Sequence, residues 1–122
     1  YLMPGVSKIP HKGKQILYID YQGCKSEDEM IEILKEAQQI IIKENKPYLQ
    51  LTNITNAFAT ANYMKKAKEV AKDTPKLATK RAIVGINSPG RKVLLQAYNF
   101  ILGKDKMVPF DDLEKAKDYL IS

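Results

Sequence analysis

Gln15-Ile16-Leu17-Tyr18-Ile19-Asp20-Tyr21, followed after Gly23 by Ser26-Glu27-Asp28-Glu29-Met30, reads as one strand and the start of the helix behind it. β-Branched and aromatic side chains dominate the first seven positions, and Gly13 and Gly23 bracket them as turn residues bracket a strand. Ser26 and, three residues on, Glu29 can each satisfy a free backbone N–H at a helix start, and three acidic side chains in the first turn complement the positive end of the helix dipole. Met30, Ile33, Leu34, Ala37, Ile40 and Ile41 then recur at helical spacing, which predicts a helix to Glu44. Ile31 and Ile42 share an azimuth beside that stripe. Cover by the N-terminal segment is the expectation for them, and a subunit contact the alternative.

The unit recurs. Asn45-Lys46-Pro47 stops the helix, and a strand over 48–52 alternates Leu49 and Leu51 with Tyr48, Gln50 and Thr52. Thr60 can cap a second helix whose stripe is Tyr63, Met64, Ala67, Val70 and Ala71, with Lys65, Lys68 and Lys72 opposite. A third strand is expected over 80–86, and Asn87-Ser88-Pro89-Gly90 then offers a serine cap with proline at the first helical position. The third helix is apolar around much of its circumference, with Val93, Leu94, Ala97, Tyr98 and Ile101 on one side, Leu95 and Leu102 flanking, and Gly103 at its end. A short strand over 106–110 precedes a capping box of Asp111 and Glu114 and a last helix carrying Leu113, Ala116 and Leu120. Upstream, residues 6–10 are expected to pair as an extra N-terminal edge strand through the turn His11-Lys12-Gly13-Lys14. Four successive strand-helix units make an α/β fold with a mainly parallel sheet. The half-polar strand 48–52 suggests that one sheet face is less thoroughly buried than in a sheet covered on both sides.

At 122 residues, 44% apolar and 28% charged, the chain is expected to form a single domain over 1–122. One cysteine, Cys24, and one histidine, His11, cannot build a disulfide or a zinc ligand set, so no metal and no cofactor is expected. The longest apolar run, Ile16-Leu17-Tyr18-Ile19, is far too short to span a bilayer, and no charged-then-apolar leader opens the sequence; a cytoplasmic location is the expectation. The net charge of +6 belongs to the second half: residues 1–60 carry seven basic and seven acidic side chains, residues 61–122 thirteen and seven. Surface solubility accounts for such a lysine excess.

Several segments carry a family resemblance: His11 through Tyr21, Leu49-Gln50-Leu51-Thr52-Asn53-Ile54-Thr55-Asn56, Arg81-Ala82-Ile83-Val84-Gly85-Ile86, and Val108-Pro109-Phe110-Asp111-Asp112-Leu113-Glu114-Lys115-Ala116. With the order of elements, they resemble the STAS-like domains, the SpoIIAA-like fold of anti-sigma-factor antagonists, and within it a bacterial branch of uncharacterised STAS-like proteins. In the antagonists, the loop after the central strand carries an Asp-Ser-Ser-Gly-like stretch whose hydroxyl a partner kinase phosphorylates. Here that loop reads Asn53-Ile54-Thr55-Asn56-Ala57-Phe58-Ala59-Thr60, so the switch motif is not matched. The resemblance implies a non-enzymatic module for protein interaction or regulation. The fold also resembles the CRAL-TRIO lipid-binding domains, which implies the alternative: a carrier of a small apolar or anionic, lipid-like or phosphorylated ligand.

No catalytic set emerges, since the lone histidine sits in a turn and the carboxylate pairs sit where helix starts ask for acids. No phosphate-binding glycine loop occurs. The strongest candidate for ligand or partner binding is the edge formed by strand carboxyl ends, where Asn53, Thr55, Asn56 and Thr60 would meet Ser88, Gly90 and Arg91. A phosphate on Thr60 would sit at a helix N-terminus, against a plain capping role. Nucleic-acid binding through 65–92 ranks third, because the lysines lack interleaved aromatics. Ile31, Ile42, Leu95 and Leu102 are surplus apolar side chains that suit a homodimer contact.

Overall fold

Lys12 and Gly13 both take positive φ, 48° and 86°, the pair of left-handed residues that a two-residue type I′ hairpin needs. They join β1 (Gly5–His11) to β2 (Lys14–Asp20) with His11 opposite Lys14, so the expected N-terminal edge strand is present and antiparallel. The computed structural model describes residues 4–57, 60–103 and 106–122, apart from the side chains of Ile101 and Leu102. After the hairpin come α1 (Glu27–Glu44), β3 (Tyr48–Asn53), α2 (Ala61–Asp73), β4 (Ala78–Val84), α3 (Pro89–Leu102), β5 (Met107–Phe110) and α4 (Leu113–Ile121). The strands lie side by side in chain order, and β2 to β5 are all parallel.

Strand order decides where the helices go. When each new parallel strand is added on the same side of the last, crossovers of one hand all pass over one face. Ile19 of β2 and Tyr21 just beyond it accordingly pack with Met30, Ile33 and Ala37 of α1 and with Tyr63 and Ala67 of α2, while Ile83 of β4 packs with Leu95 of α3. The other face, with Ile16, Leu51, Ala82 and Val84, packs against Ala116 and Leu120 of α4.

Both sheet faces are therefore covered, which corrects the expectation drawn from the half-polar strand. Gln50 is 7% exposed and Thr52 6%, and they point under the three helices rather than toward water. Alternation marked the two faces of β3 correctly, but polarity here marks an internal site and not a wet surface.

Helix starts follow the sequence with one shift. Ser26, Thr60 and Ser88 accept the N–H groups of Glu29, Tyr63 and Arg91. The last helix, however, is capped by Asp112, whose carboxylate accepts from Lys115 N at 2.8 Å, and not by the expected pair of Asp111 and Glu114; Asp111 stays exposed. That register brings Ala116 and Leu120 onto the sheet.

In α3 Leu95 is buried and Arg91, Tyr98 and Asn99 are half-buried on the inward side, whereas Val93 and Ala97 face outward and Leu94, 37% exposed, sits at the cavity's edge. Arg91 reaches backbone carbonyls of the neighbouring loops, and Asn99 bonds both the N–H and the C=O of Met107, at 2.9 and 3.0 Å. Two of the four inward positions are polar, so counting apolar side chains selects the wrong azimuth. The expected contributions of Ile101 and Leu102 lie outside the described side chains. Leu95 and Ile31 are packed into the core rather than spare, whereas Ile42 is 44% exposed.

β4 runs two residues earlier than the expected 80–86. Gly85, at φ +103°, turns the chain out of the strand, and a Cβ built there would lie 2.5 Å from the backbone nitrogen of Thr55. Both the left-handed φ and the close approach require glycine. Gly85→Ala should lower stability by ~2 kcal/mol or more, read as a reduced urea midpoint at unchanged slope. A wild-type midpoint would show that the two loops do not need this approach.

Candidate functional site

The helix-covered face closes over a cavity of about 120 Å³. Its roof is built partly from small side chains, Ala37 of α1 and Ala67 and Ala71 of α2, at positions where larger residues would fill the space. Its floor carries Gln50 and Thr52 of β3 and Arg81 and Ile83 of β4. Register explains the polar cluster: Gln50 lies directly opposite Arg81, so inward-facing polar positions of adjacent strands meet.

Arg81 is 6% exposed, and its Nε has no hydrogen-bond partner among the described residues. Its Nη2 donates to the Tyr48 hydroxyl at 3.4 Å, the long limit of a hydrogen bond. Gln50 Nε2 donates to Thr52 Oγ1 at 3.1 Å. Burial pushes the Tyr98 phenol above its usual range, and the nearby Arg81 charge pulls it partly back. Tyr21 and Tyr63 lie edge to face across the same cavity, their ring centroids 5.7 Å apart. Burial raises both phenols well above the ordinary tyrosine value. The floor therefore offers a guanidinium, an amide and hydroxyls, and the walls are apolar.

Of the sequence-based candidates Asn53, Thr55, Asn56, Thr60, Ser88, Gly90 and Arg91, Arg91 alone is a lining residue of this cavity. Its guanidinium donates to three carbonyls: Ile54 O at 2.7 Å, Gly85 O at 3.0 Å, and Ala57 O. It binds the β3–α2 loop to the β4–α3 loop. Asn53 is buried; its amide donates to the Tyr18 hydroxyl and to Gln22, and its oxygen accepts the Thr55 N–H at 3.0 Å. Asn56 is exposed at φ +59°, and Gly90 is exposed in the first turn of α3 behind the Ser88 cap. Thr60 caps α2, and its hydroxyl also donates to the Glu27 carboxylate. Phe58 and Ala59 of this loop lie outside the described residues. The structure thus brings Arg91 onto the loop of Asn53 to Ala57, while Thr60 turns toward α1.

Cys24 is half-buried, and burial together with the Glu29 and Asp20 carboxylates raises its thiol, which disfavours the nucleophilic thiolate. His11 bonds Asp118 of α4 at 2.8 Å, far from the cavity wall. Among the described residues, no helix is long and apolar enough to cross a membrane.

Arg81, Tyr48 and Tyr98 escaped the sequence reading. The signal that could have found them is the run of polar residues at alternate positions in two strands that must sit side by side: Gln50 and Thr52 in one, Arg81 in the other.

No protein-family model and no curated protein matches the sequence. Among solved structures, the chain is similar to an uncharacterized protein of the DUF3478 family with a SpoIIAA-like fold from Shewanella loihica PV-4. The TM-score is 0.68 at 16% sequence identity, over 98% of this chain and 97% of that one. The fold of this chain is accordingly SpoIIAA-like.

The paired tyrosines give the site a measurable signature. Their folded values lie above the unfolded value of 10.0, so their contribution to stability is complete below pH ~10 and is lost as pH rises beyond it. Stability should fall by about 1.4 kcal/mol per pH unit for each phenol that stays protonated in the folded chain. Unfolding titrations should show this slope in the wild type and a flatter one in Tyr21→Phe with Tyr63→Phe. An unchanged slope in the double variant would mean that other groups control alkaline unfolding.

Proposed function

We propose that this SpoIIAA-like chain binds and carries one small, mainly apolar molecule in the cavity between the sheet and α1, α2 and α3. The cavity carries the reading. Protein interiors are close-packed, and a space of about 120 Å³ left between sheet and helices departs from that rule. A space of that order accommodates a molecule the size of benzene, as apolar cavities of ~150 Å³ do. Leu94 both lines the cavity and is exposed on α3, so the path from solvent runs beside that helix.

A regulatory interaction at the β3–α2 loop is the second reading. The observation in its favour is that Ile54 and Ala57 belong to that loop and to the cavity wall at once, so a partner docking there would touch a segment that the ligand also touches. Phosphorylation of Thr60 fits this less well, because its hydroxyl faces the Glu27 carboxylate and a phosphate would be repelled there.

Hexan-1-ol and benzyl alcohol are suitable uncharged probes. Each should bind with one-to-one stoichiometry by calorimetry and raise the midpoint of thermal unfolding with concentration. Ala71→Leu places extra carbons in the cavity and should weaken that binding about tenfold or more, while keeping the fold. Failure of both alcohols to bind the wild-type protein would sink the carrier reading.

A further inference from the structure

Among the described residues, two cations and no carboxylate line the cavity. Arg91 is engaged with three loop carbonyls. Arg81 is not: Nε is buried without a partner, Nη2 has one long contact to Tyr48, and no described carboxylate forms an ion pair with it. An arginine cannot shed its charge inside a protein, and a charge buried without a counter-charge is among the most costly arrangements in a core. Arg81 is nonetheless one of the residues that line the cavity. The forked N–H donors of a guanidinium match the two oxygens of a carboxylate.

We propose that the ligand is an apolar monocarboxylate, its carboxylate paired with the Arg81 guanidinium and its hydrocarbon part filling the cavity. This deepens the carrier reading and rests on it. A carboxylate is also the smaller head group, and a space of about 120 Å³ leaves less room for a phosphate monoester. The size of the cavity sets the whole acid at about six carbons, by comparison with benzene in ~150 Å³.

The test compares hexanoate, hexan-1-ol and hexyl phosphate at neutral pH by calorimetry. Hexanoate should bind about tenfold or more tighter than the alcohol, the gain expected of a charge-assisted pair, and tighter than the phosphate. In Arg81→Met the advantage over hexan-1-ol should vanish while the alcohol still binds. The Arg81 Nε–H resonance of the wild-type protein should shift with hexanoate and not with hexan-1-ol, which locates the contact even if Arg81→Met does not fold. Alcohol binding with no preference for the acid, a stronger response to hexyl phosphate, or an unmoved Nε–H resonance would overturn the carboxylate assignment and leave the carrier reading standing. If neither alcohol nor acid binds, the carrier reading falls and this assignment with it.

Discussion

Crossovers of a single hand, applied to parallel strands added always on the same side, force three helices onto one face of this sheet and leave the other to a single helix. Everything distinctive in the molecule lies on the crowded side. The face under α4 is an ordinary apolar contact of Ile16, Leu51, Ala82 and Val84 with Ala116 and Leu120. On the crowded side, α1 and α2 bring alanines to the sheet instead of bulky residues, and the geometry that stacks three helices over four strands leaves space between them.

That space is closed at one end by a polar device rather than by packing. Gly85 lets the β4–α3 loop approach the β3–α2 loop to within van der Waals contact, and Arg91 then gathers carbonyls from both. Deeper in, a second arginine faces the cavity without such partners. The contrast is chemical: one guanidinium satisfies the backbone, and the other lines the cavity with a buried Nε that has no partner among the described residues. Buried donors of this kind are retained at a cost to stability, and a ligand that completes them recovers it.

Much of the architecture was legible in the sequence because each element announces itself locally. Ser26, Thr60, Ser88 and Pro89 mark helix starts, Gly13 and Gly103 mark ends, and strand alternation fixes which residues share a face. What was not legible depends on how elements meet. The polar positions of β3 are conspicuous, yet their meaning reverses once three helices are known to cover that face. Arg81 looks like an ordinary strand residue until its register opposite Gln50 is known. The α3 stripe was misplaced because Arg91 and Asn99 bury polar groups that find backbone partners only in the folded chain. Of the edge residues chosen from the sequence only Arg91 lines the cavity, and the other lining guanidinium, Arg81, belongs to the strand behind them.

The two outermost strands share a detail with a consequence for the surface. β1 contains Pro10 and β5 contains Pro109, so each margin of the sheet has a gap in its row of backbone donors, and Lys8 and Glu44 pair across the β1 side. Interrupted margins resist recruitment of a further strand from another chain. Both margins therefore disfavour ribbon-like growth by strand addition, which leaves helices and loops as the better-suited surfaces for association.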